Sequence, residues 1–327
     1  IARRLAGPDR NVTLVGPADP AALPSGGDFP EVDGISPEVT SAEDHYIVDI
    51  DLVKPLVEAA GWTLTVKGLI ANEMKLTFTS LQERYEVVED LSVLTCISNE
   101  VGGPLVGHSA WGGVRLRDVL EEAEPLSDVV DVVFTAADGY KDSIPLEAAM
   151  DPSVILAVSQ NGEPLTQGHG FPCRVRVPAI YGMKNVKWLR SIELVARDYK
   201  GYWMQRGWSD EAIVRTQSRI DVPDHGQTVR EGQQMWIAGV AWAGERGVDK
   251  VEVSVDGGET WNEAELKRPA AENSWRLWAY RWTPETDGTA VVMCRATDGT
   301  GVVQTTRERP PHPSGASGLH TIEVAVE

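Results

Sequence analysis

The chain has 327 residues, about twice the length of a typical domain, so two domains are the first expectation. Hydrophobic residues make up 42% and charged residues 24%, which excludes a disordered chain, and no apolar run approaches the ~18 residues of a membrane-spanning helix. The net charge of −19 argues against binding to a nucleic-acid backbone.

The cysteines and the short motifs exclude several classes of site. Cys96, Cys173 and Cys294 are odd in number and widely spaced, which rules out a disulfide framework or a C-x-x-C metal site. The sequence also lacks a C-x-x-C-H haem motif, a phosphate-loop motif and a G-x-G-x-x-G fingerprint. Nucleotide binding and covalent haem are therefore not expected in this chain.

The N-terminal third begins with a segment rich in proline and glycine. Residues 1–40 predict an extended arm that lies over a domain. Residues 62–67 alternate between apolar and polar side chains, as in a half-buried strand. Residues 80–83, Ser-Leu-Gln-Glu, match a capping box and predict the start of a short helix.

Helix and strand patterns continue to alternate in the middle of the chain. A strand runs into Cys96, and the glycines and proline of 102–107 predict a loop after it. An apolar stripe predicts a helix over 114–122, and the segments 129–135 and 154–158 predict buried strands. The pattern indicates a mixed α+β domain.

After about residue 226 only strand patterns are found. Val251, Val253 and Val255 alternate with polar residues and lead into Asp-Gly-Gly at 256–258, a hairpin signal. Three further strands are predicted, at 275–280, 290–297 and 319–326. We therefore predict an arm at 1–40, a mixed α+β domain at 41–225 and an antiparallel β-sandwich at 226–327.

Basic residues are concentrated in one segment of this acidic chain. Residues 1–168 contain ten Lys or Arg against 28 Asp or Glu, whereas residues 169–200 contain seven against two. Within that segment, His169, Arg174 and Arg176 are predicted on one proline-bounded strand. Such an island suits a small anion such as phosphate, and the alternative is a solvated basic face.

Cys96 is a second candidate because it lies where a predicted buried strand meets a glycine-rich loop. Such a junction places a side chain where a rigid scaffold borders a cleft. The alternative is a small, buried apolar side chain without a chemical role, which is the commonest fate of a single cysteine.

Four ordered blocks carry a resemblance to a known family: TCISN at 95–99, WGGVRL at 111–116, HGFPCRVRVP at 169–178 with KWL at 187–189, and DYKGYW at 198–203. They resemble the molybdopterin domain of the sulfite oxidase family, and residues 251–261 and 275–278 resemble its immunoglobulin-like dimerisation domain. The resemblance implies a sulfite-oxidase-type α+β domain, an immunoglobulin-like β-sandwich and a molybdenum–molybdopterin cofactor. No haem is expected in this chain, because the sequence lacks a haem motif.

The resemblance also implies roles for individual residues. Cys96 matches the thiolate that ligates molybdenum, while the dithiolene of the cofactor would supply two more sulfurs. Tyr199 matches the tyrosine beside the metal-bound oxygen, and Lys200 would favour the approach of an anion. The residues implied in cofactor binding are His169, Arg174, Lys184, Lys187, Tyr46, Ser98 and Asn99.

The sequence departs from sulfite-oxidising relatives where those place cations. Val48 stands at the position of an arginine, and Glu100 and Val101 follow the cysteine where further arginines are found. We therefore expect oxygen-atom transfer to or from a small substrate that is not classical sulfite. The alternative within the family is the reduction of an S-oxide or N-oxide, as in some bacterial members.

The resemblance also bears on partners and location. Electrons are expected to pass to or from an external partner, either a cytochrome, a quinone system or an upstream segment, and a homodimer is expected through the C-terminal domain. We expect an extracytoplasmic location, in the periplasm or on the outer membrane face, with an upstream anchor left open by the start at Ile1. A different class, a non-catalytic β-sandwich binding module, predicts a protein without metal.

Overall fold

A computed structural model of the chain describes residues 12–22, 29–50 and 53–327. In this part of the chain, β-strands predominate and no α-helix is longer than eight residues. The helices are α1 (Phe78–Arg84), α2 (Leu116–Ala123) and α3 (Leu146–Ala149). The helical part is thus smaller than the predicted α+β class suggests.

The chain divides into two compact units. The first holds the described residues of Ile1–Ala21, Ser41–Asp90 and Ser109–Glu211. The second holds those of Ala22–Thr40, Leu91–His108 and Ala212–Glu327. The second unit therefore includes two segments that come from the N-terminal third of the sequence, one of which contains Cys96.

The first unit is built on two sheets. The strands up to Val195 are β1 (Thr63–Gly68), β2 (Met74–Thr77), β3 (Val87–Thr95), β4 (Val106–Arg115), β5 (Asp131–Ala136), β6 (Lys141–Pro145), β7 (Ile155–Gln160), β8 (Glu163–Pro164), β9 (Arg174–Arg176) and β10 (Leu189–Val195). One sheet has the order β2-β1-β10-β5-β6, in which only β1 and β10 are parallel. The other has the order β3-β4-β7-β8, and β9 pairs with β7. The boundary between the units falls inside β3 and β4.

The apolar alternation predicted at 62–67 forms part of the core of this unit. Trp62, Leu64 and Val66 are buried, and the indole Nε1 of Trp62 donates a hydrogen bond to the carbonyl of Leu189 at 2.9 Å. Strand β1 therefore contributes one face to the core. The hydrogen bond of Trp62, the residue before β1, fixes the start of this strand beside β10.

Two local predictions in this unit are wrong. The capping box lies three residues earlier than predicted, because the hydroxyl of Thr77 accepts from the backbone N–H of Ser80 and the Ser80 hydroxyl accepts from that of Thr77. The helix predicted over 114–122 begins only at Leu116, because Val114 is paired with Leu156 in the sheet.

The second unit holds two further sheets with a shared apolar core. Its strands from Gln217 onward are β11 (Gln217–Val222), β12 (Thr228–Val229), β13 (Met235–Trp242), β14 (Val248–Ser254), β15 (Asn262–Glu263), β16 (Glu265–Leu266), β17 (Arg276–Trp282), β18 (Gly288–Asp298) and β19 (His320–Val326). The sheet orders are β11-β13-β17-β16 and β12-β19-β18-β14-β15. The hairpin predicted around residues 256–258 is confirmed, since β14 and β15 pair antiparallel. Trp278 on β17 is buried in the core of this unit.

The part of the predicted arm that the structure describes, 12–22 and 29–40, contains no helix or strand. The remainder of the arm, 1–11 and 23–28, lies outside the described residues. None of the helices described is long and apolar enough to cross a membrane.

Candidate functional site

Cys96 lies in the second unit, at the start of a loop that closes on itself. We name residues 97–105 the cysteine loop. The backbone N–H of Cys96 donates to the carbonyl of Leu105 at 3.0 Å, and that of Asn99 donates to the carbonyl of Cys96 at 3.1 Å. The side-chain oxygen of Asn99 accepts from the N–H of Leu105 at 2.8 Å. These bonds fix the backbone from which the thiol projects.

The predicted partners of Cys96 have different positions in this loop. The Cys96 Sγ is 2.9 Å from the hydroxyl of Ser98, and the cysteine is only 8% exposed. Ser98 can therefore donate to a thiolate. Asn99 uses its side-chain oxygen to close the loop, and this bond holds the backbone around Cys96.

Arg174 and Arg176 form the basic centre of the first unit. Strand β9 carries both, and they are 3% and 0% exposed. Arg174 donates to the carbonyls of His169 and Asn185, both at 3.1 Å, and its guanidinium lies 5.0 Å from the ring centre of Trp111. Arg176 donates to the carbonyl of Val177 at 2.7 Å and to the Asn185 side chain at 2.8 Å. Burial lowers the pKa of both guanidinium groups to about 10.

His169 is not on the strand that carries the arginines, which corrects the sequence prediction. It ends a 3₁₀ helix, Gln167–His169, and Gly170 then takes a left-handed conformation with φ of 104°. The Nε2 of His169 is 2.8 Å from the carbonyl of Ala42, and burial lowers the pKa of the ring to about 4. At neutral pH this imidazole is uncharged and its N–H donates to Ala42.

His45 completes the cluster around Trp111. Its ring centre is 5.4 Å from that of His169 and 5.7 Å from that of Trp111. Burial lowers its pKa to about 3, and the neighbouring His169 and arginines act in the same direction. Tyr46, predicted to contact the cofactor, stacks on His45 at 5.2 Å and is half-buried.

The cluster holds buried polar atoms without hydrogen-bond partners among the described residues. They include Arg174 Nε and Trp111 Nε1, which are donors, and His45 Nε2, which is an acceptor because the Nδ1 of this uncharged ring lies 3.4 Å from the carbonyl of Tyr46 and carries the proton. A buried donor costs free energy unless a partner satisfies it, and a buried cation needs an anion more strongly still. Arg174 and Trp111 therefore fit a group that brings a negative charge and hydrogen-bond acceptors, such as the phosphate of a cofactor.

The two lysines predicted to bind phosphate already have carboxylate partners. Lys187 forms an ion pair with Asp49 and donates to the carbonyl of Gly168 at 3.1 Å, while burial lowers its pKa to about 8. Lys184 is 3% exposed and lies 3.1 Å from a carboxylate oxygen of Asp142 and 2.6 Å from one of Asp210. Both lysines thus form direct ion pairs, whereas among the described residues Arg174 interacts with Asp49 only at longer range and forms no direct ion pair.

Lys184 is expected to act chiefly in stability. Lys184→Met leaves the fully buried Asp142 without its cation, so the free energy of unfolding should fall by about 3 kcal/mol or more. The control is Lys200→Met, which removes the other partner of Asp210 at an exposed site and should cost below about 1 kcal/mol. Chemical denaturation measures both, and equal losses would contradict this role.

Two hydrogen bonds to its backbone fix the position of Tyr199. Its N–H donates to Asp131 at 2.8 Å, and its carbonyl lies 2.9 Å from the hydroxyl of Ser143. The guanidinium of Arg197 lies 5.6 Å from the centre of the Tyr199 ring. Asp131 and Ser143 therefore fix the position of the tyrosine in the chain without using its phenol.

Lys200 is already paired with carboxylates, and the positions at which the sequence departs from sulfite-oxidising relatives carry no cation. Lys200 is 45% exposed and lies 2.6 Å from carboxylate oxygens of Asp198 and Asp210, which raise its pKa. Val48 is 43% exposed, Glu100 is exposed and Val101 is half-buried. An approaching anion would thus meet a lysine already paired twice.

Sequence reasoning missed three residues of the basic cluster: His45, Asp49 and Trp111. Arg176 was predicted as part of the basic segment that suits an anion, and the structure places it beside Arg174 on β9. His45 and Asp49 gave no local signal, since their partners are far away in the sequence.

Comparisons with known proteins agree with this arrangement. Residues 51–203 match the oxidoreductase molybdopterin binding domain, and residues 211–309 match the Mo-co oxidoreductase dimerisation domain. Mitochondrial sulfite oxidase from Rattus norvegicus is 36% identical over 232 residues, covering 61% of this chain and 42% of that protein. A nitrate reductase from Hordeum vulgare is 29% identical, covering 76% of this chain and 34% of that protein.

A solved structure extends the comparison to the whole fold. The sulfane dehydrogenase SoxCD from Paracoccus pantotrophus has a TM-score of 0.75 at 21% identity, covering 97% of this chain and 96% of that chain. The fold and the two domain matches define the class of chain, a molybdopterin-binding oxidoreductase domain followed by a Mo-co oxidoreductase dimerisation domain, whose cofactor is molybdenum–molybdopterin. This chain belongs to the sulfite oxidase family. It spans about two fifths of the length of the rat relative.

Proposed function

We propose that this chain transfers an oxygen atom between water and a small substrate that carries less negative charge than sulfite, while two electrons pass between that substrate and an external partner and two protons are exchanged with water. The observation that carries the proposal is the buried Arg174, which has no carboxylate partner among the described residues and lies beside two other unsatisfied polar atoms. A cofactor phosphate supplies the missing charge. When bound, the molybdenum cofactor supplies the redox and oxygen-transfer chemistry.

The chain's own residues hold and orient that group in this proposal. Cys96 provides the soft thiolate that molybdenum favours, and the hydroxyl of Ser98 donates to its sulfur. The dithiolene of the cofactor would supply the other metal ligands, and the phenol of Tyr199 would donate a hydrogen bond to the substrate oxygen.

The substrate part of the proposal rests on charge. Val48 and Glu100 stand where the resemblance expects arginines, and Lys200 is compensated by two carboxylates. Each missing charge-assisted hydrogen bond removes roughly 1.5–3 kcal/mol of binding, which is about tenfold or more in affinity. A dianion should therefore bind weakly.

The same observation favours a second candidate, the reduction of a neutral S-oxide or N-oxide. The similar proteins include one named as a nitrate reductase and one named as a sulfite oxidase, so both a reductase and an oxidase are named among them. Because Lys200 is already paired with two carboxylates, an uncharged oxide would suit this chain as well as an uncharged reduced substrate.

Steady-state kinetics with a dye as electron carrier test the proposal on sulfite and on a neutral sulfoxide. We expect poor sulfite turnover, and a gain for sulfite of about tenfold in kcat/KM in Val48→Arg, which restores one cation. The control, Val53→Arg, adds the same charge to an exposed position of the same segment. Efficient sulfite oxidation by the unaltered chain, with kcat/KM on the order of 10⁶ M⁻¹s⁻¹, would refute the substrate assignment.

Assembly, electron transfer and location belong to the same proposal. The match of residues 211–309 to a dimerisation domain supports a homodimer, which is the commonest closed assembly. A monomer by analytical ultracentrifugation at micromolar concentration would contradict it. We further propose an external electron partner and an extracytoplasmic location, which co-purification and cell fractionation would test.

A further inference from the structure

The cysteine loop is held from outside by two side chains of the second unit. Arg219 on β11 and His320 on β19 both contact the Gly102–Gly103 turn of this loop. We propose that Arg219 and His320 are positioning residues that set the direction of the Cys96 thiolate. The inference rests on the proposed function only in taking Cys96 as the metal ligand.

Arg219 is itself immobilised. Its Nη1 donates to the carbonyl of Gly103 at 3.1 Å, its Nε to Asp221 at 2.7 Å and its Nη2 to the hydroxyl of Ser36 at 2.8 Å. Asp221 in turn accepts from the backbone N–H of Ser36 at 3.0 Å. Because each nitrogen of the guanidinium has a partner, Arg219 presents one fixed donor to the loop.

His320 is fixed in a similar way from the other sheet. Its Nδ1 accepts a hydrogen bond from the backbone N–H of Ile220 at 2.9 Å, which leaves the proton on Nε2. The ring lies so close to Gly102 that a Cβ at that position would overlap it, and Gly102 has a left-handed φ of 74°. Only glycine combines this backbone conformation with this approach.

The contacts at the turn reach Cys96 through the bonds of the loop. A Cβ on Gly103 would overlap the side-chain oxygen of Asn99, so the turn packs directly on Asn99. Asn99 bonds to the backbone of both Leu105 and Cys96. A shift of the turn must therefore move Asn99 and, with it, the backbone that aims the thiol.

The experiment compares Arg219→Ala and Arg219→Lys with Arg295→Ala in the full chain. Arg295 is a matched control because it also lies in the second unit and binds a carboxylate, Glu252, without touching the cysteine loop. Hydrogen exchange of the loop amides and alkylation of Cys96 by iodoacetamide are followed in cofactor-free chain. Cys173 and Cys294 are fully buried with raised thiol pKa values, so alkylation reports on Cys96.

We expect the rates of amide hydrogen exchange and of Cys96 alkylation to rise about tenfold in Arg219→Ala, which corresponds to ~1.4 kcal/mol of local opening. In Arg219→Lys both rates should lie between those of Arg219→Ala and those of the unaltered chain. In cofactor-loaded protein, the Mo(V) electron paramagnetic resonance signal should shift in Arg219→Ala and stay unchanged in Arg295→Ala. Rates and signal equal to those of the control, or faster exchange spread over the whole unit, would overturn the proposal.

A glycine pair provides a second test if Arg219→Ala folds poorly. Gly102→Ala should reproduce the faster alkylation of Cys96. The control is Gly139→Ala, because Gly139 has a positive φ of 86°, similar to that of Gly102, but open space where the new Cβ would lie. This variant therefore reports on backbone strain alone. Equal alkylation rates in the two variants would contradict the role of His320. If Cys96→Ser retains the metal, the proposed function fails, whereas these cofactor-free measurements still decide how the loop is held.

Discussion

Cys96→Ser is expected to lose bound molybdenum and to lower turnover by at least about 10³-fold, which corresponds to about 4 kcal/mol. The reason is that a neutral hydroxyl is a poor replacement for a soft thiolate, while the loop around residue 96 keeps its backbone bonds. Metal analysis by mass spectrometry and the visible spectrum of the protein check the loss directly.

Two controls keep this result interpretable. Cys294→Ala removes a buried thiol of the same unit and should keep the metal, and Ser98→Ala removes only the hydroxyl next to Cys96 and should lower turnover modestly. Full metal content and turnover in Cys96→Ser would return Cys96 to the role of a buried apolar side chain. Absence of molybdenum from unaltered protein made by a host with an intact cofactor pathway would favour the non-catalytic binding module.

Arg174→Met is expected to lose cofactor far more readily than Lys187→Met. Arg174 is buried without a carboxylate partner among the described residues, whereas the charge of Lys187 is already balanced by Asp49. Loss of one or two charge-assisted hydrogen bonds, roughly 1.5–3 kcal/mol each, weakens retention by about tenfold or more. Pterin content after dialysis against increasing salt measures the difference, which should grow with ionic strength.

Arg190→Met is the matched control for this comparison, because it removes a half-exposed arginine of the same basic segment. It should leave cofactor retention unchanged. If Arg174→Met retains as much pterin as Arg190→Met at every salt concentration, the basic segment has no role in binding, and its charge serves only solvation.

The sequence predicted those parts of the fold that depend on local period. Alternation at Trp62, Leu64 and Val66 marks β1 because every second side chain of a strand faces the core. Prediction from the sequence failed where the end of a helix or strand depends on pairing with a strand that is distant in the sequence. Val114 has the spacing of a helix face, yet its place opposite Leu156 extends β4 to Arg115. The start of α1 at Phe78 likewise depends on which hydroxyl accepts a hydrogen bond from the first backbone N–H groups of the helix, and here it is the hydroxyl of Thr77.

The site was predictable in its residue types but not in its pairing. Clustered cations after residue 169 point to an anion, and Arg174 indeed has no carboxylate partner among the described residues. Which lysines are compensated depends on carboxylates remote in the sequence: Asp49 lies 138 positions before Lys187. No spacing rule connects such positions, so only the folded chain shows which of these cations form direct ion pairs with carboxylates.

The contacts of Arg219 and His320 with the cysteine loop have a consequence for biosynthesis. The ribosome makes Cys96 more than a hundred residues before Arg219 and more than two hundred before His320. The loop therefore cannot reach its final form until residues 219 and 320 have been made, and we expect cofactor insertion to follow their synthesis. A nascent chain stalled before residue 219 should accordingly fail to retain molybdenum, whereas a released chain that includes residue 320 should acquire it.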